Sequence, residues 1–205
     1  MRAPRPAGDK GRAAADLIIE HPAMRRILDT QRAWVDGSRV LAYETGLALD
    51  EAKHHPDAAQ REAAQRWCAL ITPILKAAWT DQGFHGASEC LQVFGGHGYV
   101  REWGIEQILR DARVAMIYEG TNEIQAIDLL ARKIVPDGAA SLNALLDDLA
   151  PELDAAGQER LAQLRAGTAR LVQAAAHDAM LAGNVEVPKP QIEYLVETMC
   201  DVCLG

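Results

Sequence analysis

Apolar residues recur along this chain with the period of a helix, and no useful length of it alternates with the period of a strand. From His21 onward Ile27, Trp34, Leu41 and Ala48 repeat every seven residues, flanked by Leu28, Val35, Ala42 and Leu49. That stripe predicts a helix sustained for about 30 residues, roughly 45 Å, with the spacing that bundles use to pack helix on helix. The seam beside it, Met24, Gln31, Ser38, Thr45 and Ala52, is partly polar. A closed core rarely holds three polar groups in such a row, so this edge is expected to face water or another chain. His54-His55-Pro56 ends the helix, because proline disfavours helix at the residue before it.

A second helix is marked by Ala64, Trp67, Cys68, Ile71, Ile74, Leu75, Ala78 and Trp79, with Pro73 inside it as an expected kink. After Gly83 a short helix carries Ala87, Cys90, Leu91 and Phe94 and stops at Gly95-Gly96. Ile105, Ile108, Leu109 and Ala112 mark another, and Ile124, Ile127, Leu130, Ala131 and Ile134 the next, which ends at Pro136-Asp137-Gly138. Beyond it Leu142, Leu145, Leu146 and Leu149 predict one helix, and Leu161, Leu164, Leu171, Val172 and Ala175 a longer one. Pro188-Lys189-Pro190 then breaks the chain before Ile192, Leu195, Val196 and Met199. The fold class is all-α.

Residues 1–15 are rich in Pro, Gly and Arg without apolar period and read as a flexible N-terminal segment. Nine of the ten aromatic residues fall between positions 34 and 118, so the chain divides near 137. The expected parts are a tail (1–15), an aromatic-bearing bundle (16–137) and an Ala/Leu-rich helical appendix (138–205).

Charge and composition narrow the function classes. The 205 residues carry a formal charge of −8, which gives phosphate backbones nothing to bind and argues against nucleic acid. No apolar run approaches the roughly 18 residues of a membrane span, and no secretory h-region opens the chain. A cytoplasmic location with no membrane partner is expected. Cys68 and Cys90 sit at apolar helical positions as packing thiols, and Cys200 and Cys203 form a lone C-x-x-C without further ligands. A metal site is therefore not expected, and the Glu-x-x-His pairs of a di-iron bundle are missing.

Two irregular segments interrupt the helices, Gly95-Gly96-His97-Gly98-Tyr99 and Tyr118-Glu119-Gly120-Thr121. The first is a helix stop and tight turn, or a ligand-facing loop whose N–H groups meet a phosphate. It lacks the spacing of a Rossmann fingerprint or a P-loop. In the second, Glu119 lies just before a helix that Thr121 or Asn122 caps. There it is either a carboxylate stabilised by the helix end or a general base beside an apolar cavity formed with Met116, Ile117 and Tyr118. The helix end favours the carboxylate, whereas desolvation makes it a stronger base.

These segments also occur together and in order. GFHGASECLQVFGGHGYVREWGIEQILRDARVAMIYEGTNEIQAIDLLARKIV resembles the C-terminal helical domain of acyl-CoA dehydrogenases, with GG-x-GY, LRDAR and IYEGTNEIQ at the family's spacing. The match runs from about Leu70 to Val135. A weaker one reaches IIEHPAMRRIL near Ile18, and residues 139–205 resemble the extra C-terminal helical segment of some bacterial members.

The resemblance implies an up-and-down four-helix bundle with additional C-terminal helices. It also implies FAD-dependent α,β-dehydrogenation of an acyl-CoA thioester. It places the α-proton base on Glu119, with the backbone N–H of the same residue and a flavin ribityl hydroxyl polarising the thioester carbonyl. Thr121 and Glu123 lie near the flavin phosphates or ribityl chain, by the same resemblance. Gln92, Gly95 and Gly96 contact the adenine end of a flavin bound mainly by a neighbouring subunit, which makes the chain a homo-oligomer. Arg110 and Asp111 are implied to be a structural pair fixing the turn before Glu119. The electron-transfer partner is left unassigned.

Complete family members place a helical domain and a β-barrel ahead of this bundle. The chain therefore reads as a fragment, nearly inactive alone because the main cradle of the flavin is elsewhere. The competing expectation is a non-catalytic helical module that self-associates through its amphipathic stripes.

Overall fold

A computed structural model describes residues 17–182. Its helices are α1 (Pro22–His54), α2 (Ala58–Phe94), α3 (Ile105–Ala115), α4 (Asn122–Ile127), α5 (Ala140–Leu149) and α6 (Ala155–Ala182). Short 3₁₀ turns join some of them, and α4 continues into a π-helical segment, Asp128–Ile134. No strand occurs among the described residues, so the all-α expectation holds. The tail 1–15, the Pro188-Lys189-Pro190 break with the apolar residues after it, and the Cys200/Cys203 pair lie outside the described residues.

Local chemistry sets the helix ends. Pro22 occupies the first turn of α1, where its missing N–H costs nothing, and His21 Nδ1 accepts from the Ala23 N–H at 3.3 Å. At the turn into α2, Arg61 Nη1 donates to the carbonyls of His55 (2.7 Å) and Pro56 (3.1 Å). Asp57 Oδ1 caps α2 by accepting from the Ala59 N–H at 2.9 Å. The turn between the two long helices is three residues, so α1 folds back along α2 as a helical hairpin.

The interface of that hairpin reverses one expectation. The polar seam of α1 faces inward: Thr45 is buried, and Met24, Gln31, Ser38 and Ala52 are half-buried. Two of its polar groups are accommodated within the hairpin. Thr45 Oγ1 donates to its own helix at Leu41 O (2.7 Å), and Gln31 lies over Gly86 of α2. A Cβ at position 86 would stand 2.3 Å from Gln31 Oε1, so this glycine makes room for the amide. The outward face of α1 instead exposes Val35, Val40, Tyr43, Leu47 and Leu49.

The second correction concerns α2, which runs unbroken through both Pro73 and Gly83. A glycine costs a helix about 1 kcal/mol relative to alanine, too little to end one that is packed on both sides. Pro73 has no N–H for the carbonyl of Ala69, one turn earlier. The Lys133 ammonium donates to that carbonyl from across the bundle. Lys133 is itself paired with Asp128 at 2.9 Å, at the i,i+5 spacing that a π turn aligns. The same widened turn shows in the Val135 N–H donating to Leu130 O at 2.9 Å.

The core forms where α2, the π segment, α5 and α6 meet. Ile71 and Ile74 of α2, Leu129 and Leu130 of the π segment, Leu146 of α5 and Leu164 of α6 are all fully buried there. Each such side chain contributes about 1.5–3 kcal/mol of burial. Trp34 and Leu41 of α1 pack against its edge. Residues on both sides of Asp137 share this one core.

Candidate functional site

α3 ends at Ala115, and the chain makes a closed loop before α4. The N–H groups of Ile117 and Tyr118 both donate to Val114 O (2.9 and 3.2 Å), and the Asn122 N–H reaches back to Met116 O at 3.2 Å. Reversing direction within this span uses two consecutive left-handed residues, Glu119 (φ 55°) and Gly120 (φ 89°). At Glu119 that conformation costs roughly 1–2 kcal/mol, the penalty of any residue with a Cβ. Gly120 is required twice over, since a Cβ there would also stand 2.9 Å from Gln125 Nε2. The Gln125 amide instead donates to the Glu119 carbonyl at 3.3 Å. Thr121 Oγ1 caps α4 by accepting from the Ile124 N–H at 3.4 Å. This loop therefore holds its backbone closed while the Glu119 side chain stands exposed, with Ile117, Tyr118 and Ile124 exposed around it.

The loop is fastened to the middle of α2 through Asn122. Its Oδ1 accepts from Lys76 Nζ at 2.9 Å and from Thr80 Oγ1 at 3.0 Å, and its Nδ2 donates to Ala77 O at 3.2 Å. Lys76 is half-buried, and desolvation there pulls its pKa below that of an ordinary lysine. The negative charges of Glu123 and Glu119 act in the opposite direction and hold the ammonium form.

The second predicted group lies elsewhere. Gln92 is in the last turn of α2, and Gly95 (φ 60°) ends that helix. Gly98 is buried against the same turn, where a Cβ would stand 2.6 Å from Leu91 O. A Cβ at Gly96 would meet nothing within 4 Å, so nothing among the described residues requires glycine at that position. Trp103 folds over the turn, edge-on to Phe94 (6.1 Å between centroids) and His97 (5.3 Å), yet Phe94, Tyr99 and Trp103 remain exposed. From Thr80, where Asn122 docks, to Gln92 is about 18 Å along the helix at 1.5 Å per residue. Glu119, Thr121 and Glu123 thus form one patch, and Gln92, Gly95 and Gly96 another.

Arg110 and Asp111 do not pair with each other. Arg110 meets Glu106 (3.5 Å), and Asp111 Oδ1 accepts from Gln107 Nε2 at 2.7 Å, so both reinforce the surface of α3. The turn before Glu119 is fixed by backbone bonds and by Asn122. Burial pushes the thiols of Cys68 and Cys90 up, which leaves them poorly reactive. No group of three metal-ligating side chains occurs among the described residues.

Sequence reasoning passed over Lys76 and took Asn122 only as an alternative helix cap to Thr121. The available signal was a lone cation within the apolar run Cys68–Trp79, since a charge in such a place needs a polar partner.

Comparison with known proteins bears on the whole chain. The family description "Acyl-CoA dehydrogenase, C-terminal domain" matches residues 10–134. The chain is 41% identical over 170 residues to 3-methylmercaptopropionyl-CoA dehydrogenase of Ruegeria pomeroyi, covering 80% of this chain and 29% of that protein. It is 36% identical over 154 residues to the broad-specificity linear acyl-CoA dehydrogenase FadE5 of Mycobacterium tuberculosis, covering 73% of this chain and 25% of that protein. The chain thus spans between a quarter and a third of these relatives. Among solved structures, Bd2924 in its apo form superposes with a TM-score of 0.68 at 23% identity, over 94% of this chain and 35% of that one. Caenorhabditis elegans ACDH-11, in complex with C11-CoA, gives 0.63 at 20% identity, over 89% of this chain and 36% of that one. At such identities the structures speak for the fold.

Proposed function

The chain belongs to the acyl-CoA dehydrogenase family through its C-terminal domain, and from that premise we propose that it is the base-carrying domain of an enzyme that desaturates an acyl-CoA thioester. The family is FAD-dependent and binds acyl-CoA substrates. The observation that carries the proposal is Glu119, a carboxylate in left-handed backbone on a closed loop, exposed beside Ile117, Tyr118 and Ile124.

In this reading the Glu119 carboxylate takes the α-proton, and the electron pair of that C–H bond becomes the Cα–Cβ double bond of a trans-2-enoyl-CoA. FAD, when bound, accepts the β-hydrogen as hydride. The apolar side chains around the loop exclude water once an acyl chain covers them, and a desolvated carboxylate is a stronger base. The Glu119 backbone N–H is the candidate donor to the thioester oxygen, a role that can contribute several kcal/mol to the transition state.

Thr121 and Glu123 stand beside the base and would hold the ribityl or phosphate portion of the cofactor. Gln92, Gly95 and Gly96 would hold the adenine end of a flavin bound mainly by a neighbouring subunit. Two observations support this split: the separation of the patches along α2, and the open space at Gly96, which leaves backbone free for another molecule.

The test is exchange of the acyl-CoA α-hydrogen with D₂O in the complete FAD-loaded enzyme that carries this domain. Glu119→Gln should abolish exchange and leave flavin binding intact. Exchange that persists in the variant excludes Glu119 as the base.

A second reading, compatible with the first, is self-association through α1, whose outward face exposes Val35, Val40, Tyr43 and Leu47. Light scattering that shows a monomer at high concentration rules it out.

A further inference from the structure

We infer that Lys76 is a positioning residue for Glu119: from the middle of α2 it holds Asn122, and through Asn122 the left-handed loop that aims the carboxylate. The inference rests on the reading of Glu119 as the base.

The loop between α3 and α4 has a weak internal frame. Its closing bond is the single Asn122 N–H to Met116 O contact of 3.2 Å, and it must retain a non-glycine residue at φ 55°. A strained conformation of this kind persists only where surrounding contacts over-determine it. Apart from the Gln125 amide on the Glu119 carbonyl, those contacts converge on one side chain. Asn122 meets α2 at three points: Lys76 Nζ (2.9 Å), Thr80 Oγ1 (3.0 Å) and Ala77 O (3.2 Å). Of the three, the Lys76 bond is charge-assisted and therefore the strongest. Thr80 is already engaged with its own helix, its hydroxyl lying 2.7 Å from Lys76 O.

An apolar residue would pack more easily than a lysine on this inward-tending stretch of α2, flanked by Leu75, Ala77 and Ala78, all buried. A lysine at this position is explained if the ammonium serves the loop. The charge also acts directly, since Glu119 and Glu123 are the carboxylates that favour the charged form of Lys76. Lys76 thus ties the base to a rigid helix by a hydrogen bond through Asn122 and by its field.

Hydrogen exchange of single backbone amides by NMR, with the full chain, separates this role from general stability. In Lys76→Met the Asn122 amide should exchange about tenfold faster, the size of one lost charge-assisted bond opened locally. The Asn143 amide, which donates to Ala139 O inside the core, should be unchanged. Lys76→Arg should restore most of the protection.

Titration of Lys76 gives a second readout. Glu119→Gln should lower its midpoint, because a charge that favours the ammonium form has been removed. In the complete FAD-loaded enzyme that carries this domain, Lys76→Met should slow α-hydrogen exchange about tenfold at unchanged half-saturation by acyl-CoA. An Asn122 amide that exchanges at the wild-type rate in a folded Lys76→Met overturns the inference, as does an effect confined to half-saturation. If Lys76→Met does not fold, Lys76→Ala removes the same ammonium with a residue that favours the helix, and an Asn122 amide that keeps its wild-type rate in that variant is equally fatal. Should Glu119→Gln keep its exchange chemistry, the assignment of the base fails while the amide measurements still judge the anchoring of the loop.

Discussion

Ala139 and Glu119 are the two non-glycine residues in left-handed backbone among the described residues, at φ 68° and 55°. Ala139 is buried at the head of α5, its N–H donating to Ile134 O at 2.8 Å and its side chain part of the main core. Glu119 makes the same backbone excursion in the open, with its side chain outside every cluster of buried residues. Around Ala139 the large apolar side chains point inward, and around Glu119 they point out: Ile117, Tyr118, Ile124 and Ile127 are all about half exposed. A strained turn in a core is offset by burial. One at the surface is held from behind, and what it presents is then available for chemistry. The contrast identifies the loop side as the part of the molecule shaped for something other than its own stability.

The most direct way to break the contrast is truncation on each side. Leu130→Ala, in the core, should cost about 2–5 kcal/mol, whereas Ile124→Ala should stay within about 0.5 kcal/mol. Urea unfolding followed by circular dichroism measures both, and a loss above 2 kcal/mol at Ile124 would mean that the loop side is a second core.

The next largest effect lies at the seam between the two regions. Lys133→Met strips a partner from both Asp128 and the Ala69 carbonyl and should cost about 1–3 kcal/mol. Pro73→Ala restores an N–H to that carbonyl, so the lysine substitution should cost less in that background. A double-mutant cycle reads the coupling, and strict additivity would sever the proposed link. The pair also has a pH signature. Hydrogen bonds from Lys133, and secondarily from Arg132, hold the Asp128 carboxyl below the usual range despite some desolvation. A depressed folded value contributes stability above the unfolded pKa of about 3.9, and that contribution is lost as pH falls through the folded value. Stability of the wild type should therefore fall below about pH 4. In Lys133→Met that acid-side loss should be shallower.

Smaller again is the effect of relieving strain. Ala139→Gly and Glu119→Gly should each stabilise by up to about 1 kcal/mol, because the left-handed penalty is offset in part by the more flexible unfolded chain. Thermal unfolding should rank the two alike, while α-hydrogen exchange is lost only in Glu119→Gly. The smallest change expected is at Trp79, whose buried Nε1 has no hydrogen-bond partner among the described residues. Trp79→Phe removes that orphan donor but leaves a small void, so the two terms should nearly cancel, within about 1 kcal/mol. A larger loss would reveal a partner for the indole.

The helices themselves were legible in the sequence, since apolar period, proline and glycine marked the ends at His54, Phe94 and Leu149. Gly83 misled because local propensity is weak against packing, and the polar seam at Gln31, Ser38 and Thr45 misled because polarity was taken for exposure. Thr45 is satisfied within its own helix and Gln31 is given room by the missing side chain at Gly86, and neither arrangement leaves a mark on a hydrophobic pattern. At the site, the motif around Glu119 was visible and the positive φ of Glu119 was not, because a non-glycine residue gives no sign of it. The anchoring by Lys76 joins positions 46 residues apart, beyond the reach of any local period.

The bond between Lys133 and the Ala69 carbonyl spans 64 residues, and it decides when α2 can be finished. A helix normally completes itself from neighbours four positions away, on a submicrosecond scale. The bond to the Ala69 carbonyl at the centre of α2 comes instead from the π segment, on the far side of α3 and the Glu119 loop. Most of the interval that must close first is the site itself. The Ala58–Phe94 peptide on its own should therefore fray at Pro73, and the intact chain should acquire the last bond of this long helix and the frame of the Glu119 loop in the same event.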